Sequence, residues 1–305
     1  MDGNAQNPIE ELVHLYVDGA FSRRELMERV TQFTGGITAT LAALAALGVS
    51  SADEANAQQT PGPQVPEGTP GIATRSVTYV GEATPLFGYL AYPDPLPSAK
   101  LPGVLVVHEN RGLTDYIKDV TRRVAVAGYV GLGVDLLSRQ GGTDKFTDAT
   151  SQQQAYSRTT QYERRSDLIY SLDYLKHVDS VKYNRIGMVG FCAGGGNVWD
   201  FVVNVPELSA AVAFYGTPTP PLDQIVNIQT PVLANYAELD RTLSLQMPAV
   251  ITAMLTQQKT FSFRLYQGVG HAFHNDTGPN YNAVAATDAW NQTIAFFNKF
   301  LNQQA

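Results

Sequence analysis

Short, continuous apolar runs recur along the chain from about residue 100 onwards, and segments of helical length separate them. The runs are rich in branched side chains, are bounded by glycine or proline, and cover residues 103–107, 129–137, 186–191, 210–215 and 231–236, and residues 261–266 predict a last strand after them. Runs of this length are typical of strands that are buried on both faces of a parallel sheet. Parallel strands need long crossovers, and the intervening segments predict helices at residues 115–127, 162–178, 195–203 and 243–257.

Three further segments complete the predicted architecture. Residues 76–80 and 87–92 flank a turn and predict an antiparallel start to the sheet. Residues 283–301 predict a closing helix, and one face of it carries Trp290, Ile294, Phe297 and Leu301. We therefore expect a single α/β domain with about eight strands in a mostly parallel sheet and with helices on both faces.

The first 57 residues differ from this pattern and carry the parts of a secretory signal. Arg23 and Arg24 precede a weakly apolar stretch at residues 35–49, and Ala55-Asn56-Ala57 has the form of a cleavage site. The twin arginine resembles a Tat signal, so we expect export by the Tat machinery to the periplasm or the medium. The alternative is an ordinary amphipathic helix in a cytoplasmic protein. The apolar stretch is shorter than the ~20 residues of a membrane span.

We expect residues 1–57 to be the leader, residues 58–74 a linker and residues 75–305 the α/β domain. The segment after the leader is rich in proline, glycine, glutamine and threonine, which is typical of linkers. The chain has a net charge of −7 and no basic run, so a nucleic-acid partner is not expected. Its one cysteine cannot form a disulfide within the chain, and no clustered ligand residues indicate a metal.

The cysteine lies in the segment Gly190-Phe191-Cys192-Ala193-Gly194, between an apolar run and a predicted helix. This is the pattern of a nucleophile elbow, the sharp strand-to-helix turn of α/β-hydrolases, with cysteine at the position of the nucleophile. Glycine suits the flanking positions because the turn is tight and its backbone is strained. The positive N-terminal end of the helix favours a thiolate at Cys192. A buried, unreactive cysteine is the alternative.

A cysteine nucleophile needs an acid and a base, and in this fold both follow it in the order acid, then histidine. Among the histidines, only His271 and His274 follow Cys192. His271 lies in a loop directly after the last predicted strand and is the expected base, whereas His274 is the competitor, with an ordinary surface position as its other interpretation. Asp240 follows a predicted strand and is the expected acid, and Glu238 is the alternative.

The oxyanion of an acyl-transfer reaction needs two hydrogen-bond donors. The backbone N–H of Ala193, directly after the nucleophile, is the first expected donor. The second lies in the loop after residues 103–107, which reads His108-Glu109-Asn110-Arg111-Gly112, and we expect it to be the N–H of Asn110. Together with the nucleophile, base and acid, these donors predict hydrolysis of an ester or lactone through a thioester acyl-enzyme, without a cofactor.

These segments resemble the dienelactone hydrolase (carboxymethylenebutenolidase) family of α/β-hydrolases. The matching segments run in family order from about residue 75 to residue 301: His108 to Gly112, Gly190 to Gly195, Asp240, Gly270 to Phe273, and the helix with Ala289 and Trp290. The resemblance implies Cys192 as nucleophile, His271 as base and Asp240 as the residue that orients the base. It also implies Glu109 as a fourth residue, which interacts with the thiol and helps to form the thiolate.

The chain departs from the family pattern at Asn275. The lactonases of the family carry an arginine four residues after the catalytic histidine, where it binds the substrate carboxylate. Arg111 is a candidate substitute as a substrate-binding residue, and we expect the physiological substrate to be a different ester or lactone. The alternatives are a general short-chain esterase, a catalytically silent binding protein on the same fold, and a redox sensor that uses an accessible thiol.

Overall fold

A single eight-stranded sheet organises the described part of the chain, which in the computed structural model comprises residues 8–17, 23–46 and 63–302. The strands are β1 Ile72–Tyr79, β2 Leu86–Pro93, β3 Leu101–Val107, β4 Val130–Asp135, β5 Val181–Phe191, β6 Ala210–Phe214, β7 Val232–Ala237 and β8 Phe261–Tyr266. Their spatial order is β1-β2-β4-β3-β5-β6-β7-β8. The β1–β2 and β2–β4 pairs are antiparallel and the other pairs are parallel. The predicted mostly parallel sheet with an antiparallel start is therefore confirmed.

Helices cover both faces of this sheet. They are α4 Asp115–Val126, α5 Ala149–Ser157, α6 Gln161–Lys176, α7 Ala193–Asn204, α8 Arg241–Thr256 and α9 Ala283–Leu301, and three more precede the sheet, α1 Pro8–Val17, α2 Arg23–Thr34 and α3 Ile37–Ala46. Short 3₁₀ turns lie at Ser138–Gln140, Thr143–Lys145 and Leu222–Asn227. The predicted helices at residues 115–127, 162–178, 195–203, 243–257 and 283–301 all occur, with ends that differ by a few residues.

The two faces of the sheet carry separate apolar cores because side chains alternate along a strand. In β3, Val104 and Val106 point to the core that α4 and α9 cover. Leu105 and Val107 point to the opposite core, which α6, α7 and α8 cover. A central strand thus needs an apolar side chain at every position, which is why its sequence reads as an unbroken apolar run.

Helix α5, Ala149–Ser157, is the element of the α/β domain that the sequence did not predict. Most of its side chains are polar, and only Ala155 and Tyr156 are buried, so no apolar periodicity marks it. Its start is set by Asp148, whose side chain accepts a hydrogen bond from the N–H of Ser151. Local capping and a few buried contacts stabilise this helix in place of a broad apolar face.

The described part of the predicted leader is helical. Helix α2 begins at Arg23, helix α3 lies within the predicted apolar stretch, and Leu26, Val30 and Leu44 are buried. Residues 55–57, the predicted cleavage site, lie outside the described residues. Within the described ranges no helix is both long enough and apolar enough to cross a membrane.

The described part of the predicted linker is bonded to the α/β domain. The N–H groups of Gln64 and Val65 donate to the carboxylate of Asp119 in α4, at 3.3 and 2.8 Å, and Arg122 donates to the carbonyl oxygen of Val65. Strand β1 then begins at Ile72, three residues before the predicted domain boundary. Residues 64 and 65 therefore belong physically to the surface of the domain.

Candidate active site

Cys192, Asp240 and His271 follow three different strands of the sheet, and all three lie at its carboxyl-terminal edge. Cys192 comes directly after β5, Asp240 follows β7, and His271 follows β8. In open parallel α/β sheets, ligands bind at this edge. The three residues predicted as nucleophile, acid and base therefore lie at the same edge of the sheet.

The turn that carries Cys192 is strained and is held by backbone hydrogen bonds. Cys192 is 2% exposed, and its φ of 54° with ψ of −120° is a conformation that residues with a side chain rarely adopt. Its N–H donates to the carbonyl oxygen of Phe214 at 3.0 Å, while its own carbonyl oxygen accepts from the N–H groups of Gly196 and Thr217. The neighbouring strand β6 and helix α7 thus hold the backbone of Cys192 in place.

Glycine is required beside Cys192 because backbone atoms occupy the space that a side chain would need. A Cβ at Gly190 would lie 2.3 Å from the carbonyl oxygen of Gly194, and a Cβ at Gly194 would lie 2.4 Å from the carbonyl oxygens of Val107 and His108. The N-terminus of α7 therefore packs directly against the end of β3. This contact places Ala193 beside the loop that contains Asn110.

Asp240 contacts His271 directly. Its Oδ2 lies 2.5 Å from Nδ1 of the imidazole, and its Oδ1 accepts from the N–H of Leu243 in the first turn of α8. The alternative acid, Glu238, instead accepts a hydrogen bond from the N–H of Gly268 at 2.8 Å and is exposed. The structure therefore brings Asp240, and not Glu238, to the histidine.

The pKa of His271 is raised well above its ordinary value. Burial disfavours the imidazolium, but the negative charges of Cys192 and Asp240, together with hydrogen bonds to both side chains, outweigh this effect. His271 thus interacts with Asp240 on one side and with Cys192 on the other. This arrangement can hold a proton on the imidazole beside a thiolate.

We expect His271 to remain an imidazolium above about pH 6.5, where an ordinary imidazole loses its proton. In the Cys192→Ala protein it should lose the proton at a lower pH, because burial still opposes the charge and the Cys192 contribution is gone. Asp240→Asn should shift the titration in the same direction. The measurement is a ¹H–¹⁵N NMR titration of the imidazole nitrogens, and identical midpoints in the three proteins would contradict this assignment.

His274 is not at the surface, so that interpretation of it is wrong. It is 1% exposed, and its Nδ1 lies 2.7 Å from the hydroxyl of Tyr116 in α4. Burial and the nearby charge of Arg123 lower its pKa well below the ordinary value, so the ring is neutral. The loop after His271 is thus packed inward against α4.

Asn275 and Asp276 continue this inward packing. Asp276 pairs with Arg123 of α4, and Asn275, which is fully buried, donates from Nδ2 to Oε2 of Glu109 at 2.8 Å. Thr277 donates to the Asn275 side-chain oxygen from both its N–H and its hydroxyl. At the position where the lactonases carry arginine, this chain therefore has an amide that orients Glu109.

The loop after β3 is held by a buried histidine. His108 accepts a hydrogen bond at Nε2 from the N–H of Leu136 at 2.9 Å, and burial lowers its pKa, so its ring is neutral. Its Nδ1 then carries the proton and donates to the carbonyl oxygen of Glu109. Glu109 is 2% exposed, and Asn110 is also buried. Glu109 and Asn110 are thus positioned by a side chain that does not itself need to react.

Two tyrosines near the site were not predicted from the sequence. The ring of Tyr215, directly after β6, lies 4.9 Å from the ring of His271, and its φ is 37°. Tyr156 of α5 accepts a hydrogen bond at its hydroxyl from Nδ2 of Asn197 in α7, at 2.9 Å. Tyr215 lies at the end of a predicted strand, and this position could have placed it near the site. Tyr156 could not be placed in this way, because it belongs to a helix that has no apolar pattern.

Arg111 is half-buried, and its Nε is enclosed without a hydrogen-bond partner among the residues that the structure describes. Over the same residues, no group of three or more histidine, cysteine or acidic side chains is arranged to hold a metal ion. The chemistry available at the strand ends is therefore that of a thiol, an imidazole, two carboxyl groups and backbone N–H donors.

Similar proteins carry the names of lactone hydrolases. A protein of Saccharolobus solfataricus named "Putative carboxymethylenebutenolidase" is 30% identical over 260 residues, which cover 74% of this chain and 98% of that protein. A protein of Bradyrhizobium sp named "Probable 2-oxo-3-(5-oxofuran-2-ylidene)propanoate lactonase" is 31% identical over 219 residues, which cover 68% and 87%.

A solved structure and a family match point to the same family as these two proteins. The crystal structure of a "Putative Dienelactone Hydrolase" from Klebsiella pneumoniae superposes with a TM-score of 0.68 at 26% identity, covering 75% of this chain and 99% of that one. Residues 86–301 match the Dienelactone hydrolase family. The chain therefore belongs to the dienelactone hydrolase family, has the α/β-hydrolase fold and is a dienelactone hydrolase-like hydrolase.

Proposed function

We propose that this hydrolase cleaves carboxylic esters or lactones by acyl transfer to Cys192, with His271 as base and Asp240 as the residue that orients His271. The observation that carries the proposal is the position of His271, which contacts Asp240 through Nδ1 and interacts with Cys192. Nucleophilic catalysis by cysteine uses this arrangement, in which the base is oriented by a third group on one side and faces the thiol on the other.

The reaction has two halves. The Cys192 thiolate attacks the carbonyl carbon, and the N–H groups of Ala193 and Asn110 donate to the oxygen that gains the negative charge. As the carbon–oxygen bond breaks, the His271 imidazolium gives its proton to the leaving alkoxide, and a thioester remains. His271 then takes a proton from water, the resulting hydroxide attacks the thioester, and the carbon–sulfur bond breaks to restore the thiolate.

Glu109 has a supporting role in this proposal. Glu109 is buried in the loop that supplies the second oxyanion donor, and Asn275 donates a hydrogen bond to one of its carboxylate oxygens. We propose that Glu109 interacts with the Cys192 thiol and helps to form the thiolate when substrate arrives. The hydrogen bond from Asn275 limits the orientations of this carboxyl group.

Asn275 and Arg111 support a proposal for the substrate class. Asn275 is fully buried and bonded to Glu109, so it offers no positive charge to a substrate carboxylate. Arg111 is the proposed substrate-binding residue, since its Nε lies in the interior without a partner among the described residues. Uncharged esters and lactones therefore fit the site better than substrates whose carboxylate would need a cation at position 275. The same preference favours general short-chain esterase activity.

The test is capture of the acyl-enzyme. Wild-type protein mixed briefly with p-nitrophenyl acetate and quenched in acid should carry one acetyl group on the peptide that contains Cys192, because acylation precedes hydrolysis. Neutral hydroxylamine should remove it, as expected for a thioester, and Cys192→Ala protein should carry none. An adduct on another residue, or turnover by the Cys192→Ala protein at the wild-type rate, would overturn the proposed nucleophile.

We also propose export by the Tat machinery to the periplasm, or secretion, on the basis of Arg23, Arg24 and the segment at residues 55–57. N-terminal sequencing of the protein recovered from the periplasmic fraction tests it. A first residue within the leader, or recovery only from the cytoplasm, counts against export.

A further inference from the structure

Several side-chain polar atoms are buried without a hydrogen-bond partner among the described residues. They include Oδ1 of Asn110 and Nε of Arg111, in the loop after β3, and Oε1 of Gln153, in α5. Asn110 as a whole is 9% exposed. Buried polar atoms in folded proteins are nearly always paired, so each of these atoms calls for an explanation.

Gln153 shares a face of α5 with Tyr156. It lies three residues before Tyr156, and residues three apart share one face of a helix. The Tyr156 ring lies 6.0 Å from the ring of His108, and its hydroxyl accepts from Asn197 of α7. His108 is the first residue of the loop after β3, which also contains Asn110, and Asn197 lies about one turn beyond Cys192 in α7. The face of α5 that carries Gln153 and Tyr156 is therefore the one packed against His108 and α7.

The chemistry of the three atoms defines a complementary ligand. The amide oxygens of Asn110 and Gln153 can only accept hydrogen bonds, and the Nε–H of Arg111 can only donate. A hydroxyl group both donates and accepts, so it can satisfy an amide oxygen and the guanidinium together. An alkyl group satisfies none of them.

We propose that Asn110, Arg111 and Gln153 form a subsite for hydroxyl groups on the acyl part of the substrate, and that this enzyme acts on hydroxylated lactones or hydroxy esters. The proposal rests on the ester and lactone hydrolysis proposed above. It names the substrate class for that site. The side chain of Asn110 serves this subsite, while its backbone N–H serves the oxyanion.

The first test measures binding without turnover. Isothermal titration of Cys192→Ala protein with α-hydroxy-γ-butyrolactone and α-methyl-γ-butyrolactone compares a hydroxyl with a methyl group of similar size. We expect the hydroxylactone to bind at least about tenfold more tightly, since sites built for a hydroxyl reject analogues that lack it. Equal affinities, tighter binding of the methyl compound, or no measurable binding of either would overturn the subsite.

The second test assigns the preference to Gln153. In the same Cys192→Ala background, Gln153→Met keeps the length of the side chain but removes the acceptor, and it should bring the affinity ratio close to one. Gln154→Met is the matched control, because Gln154 is exposed on the same helix and should leave the ratio unchanged. Circular dichroism confirms that both variants are folded. An unchanged ratio in Gln153→Met would overturn the assignment.

The two proposals fail in different ways. Thioester formation by wild-type protein with an affinity ratio of one would overturn only the hydroxyl subsite. A clear preference for the hydroxylactone in a protein that forms no thioester and hydrolyses no ester would overturn the catalytic proposal and leave the subsite standing.

Discussion

Replacing Cys192 by alanine should lower kcat/KM for p-nitrophenyl acetate by at least ~10⁴-fold, because the bond-forming atom of the proposed acyl-enzyme is removed. His271→Ala should cost a similar factor, since no other described side chain combines contact with Asp240 and interaction with Cys192. The measurement is initial-rate kinetics on both variants. The double variant should be no slower than the poorer single variant, because residues that act as a unit are not additive.

His177→Ala is the matched control for the histidine substitution. The His177 side chain is 76% exposed and bonds to Asp173 of its own helix, far from the strand ends that carry the site. Its kcat/KM should stay within a factor of about two of wild type, as for surface substitutions away from special contacts. Activity of Cys192→Ala or His271→Ala within a few-fold of wild type would exclude the triad.

Gly194→Ala should destabilise the folded protein by about 3 kcal/mol, in the range for a side chain forced into a filled space. The new Cβ would lie 2.4 Å from the carbonyl oxygens of Val107 and His108, which are backbone atoms in the central strand and its loop and cannot rotate away. Helix α7 and β3 would have to separate. We also expect loss of esterase activity, because the same movement displaces the proposed oxyanion donors.

Gly270→Ala is the control for that substitution. The nearest atom to a Cβ there is the side-chain Nδ2 of Asn280, at 3.1 Å, and a side chain can shift by the required amount. We expect a stability loss below about 1 kcal/mol, which urea unfolding followed by tryptophan fluorescence would measure for both variants. Equal losses at the two positions would show that the contact between α7 and β3 is not the cause.

Local patterns were sufficient for most of the fold. In β3, the alternation of Val104 and Leu105 between two apolar cores requires an apolar run, so the run itself marks a central strand. The turn at Cys192 is also predictable from local sequence, because the glycines on both sides of it are required where the backbone leaves no room for side chains. Helix α5 escaped prediction because it is anchored by one cap and by Tyr156, and neither produces a periodic pattern.

The sequence by itself determined the order of strands and helices, the strand-to-helix turn that carries Cys192 and the short sets of candidate partners for this residue. It left two choices open, Asp240 or Glu238 as the acid and His271 or His274 as the base, because the members of each pair lie close together in the same loop. Only the tertiary structure separated them, since it brings His271 and Asp240 together beside Cys192, whereas it packs His274 against Tyr116 of α4 and leaves Glu238 exposed. Contacts between segments far apart in the chain, such as Asn275 with Glu109, are set by that packing and leave no local pattern.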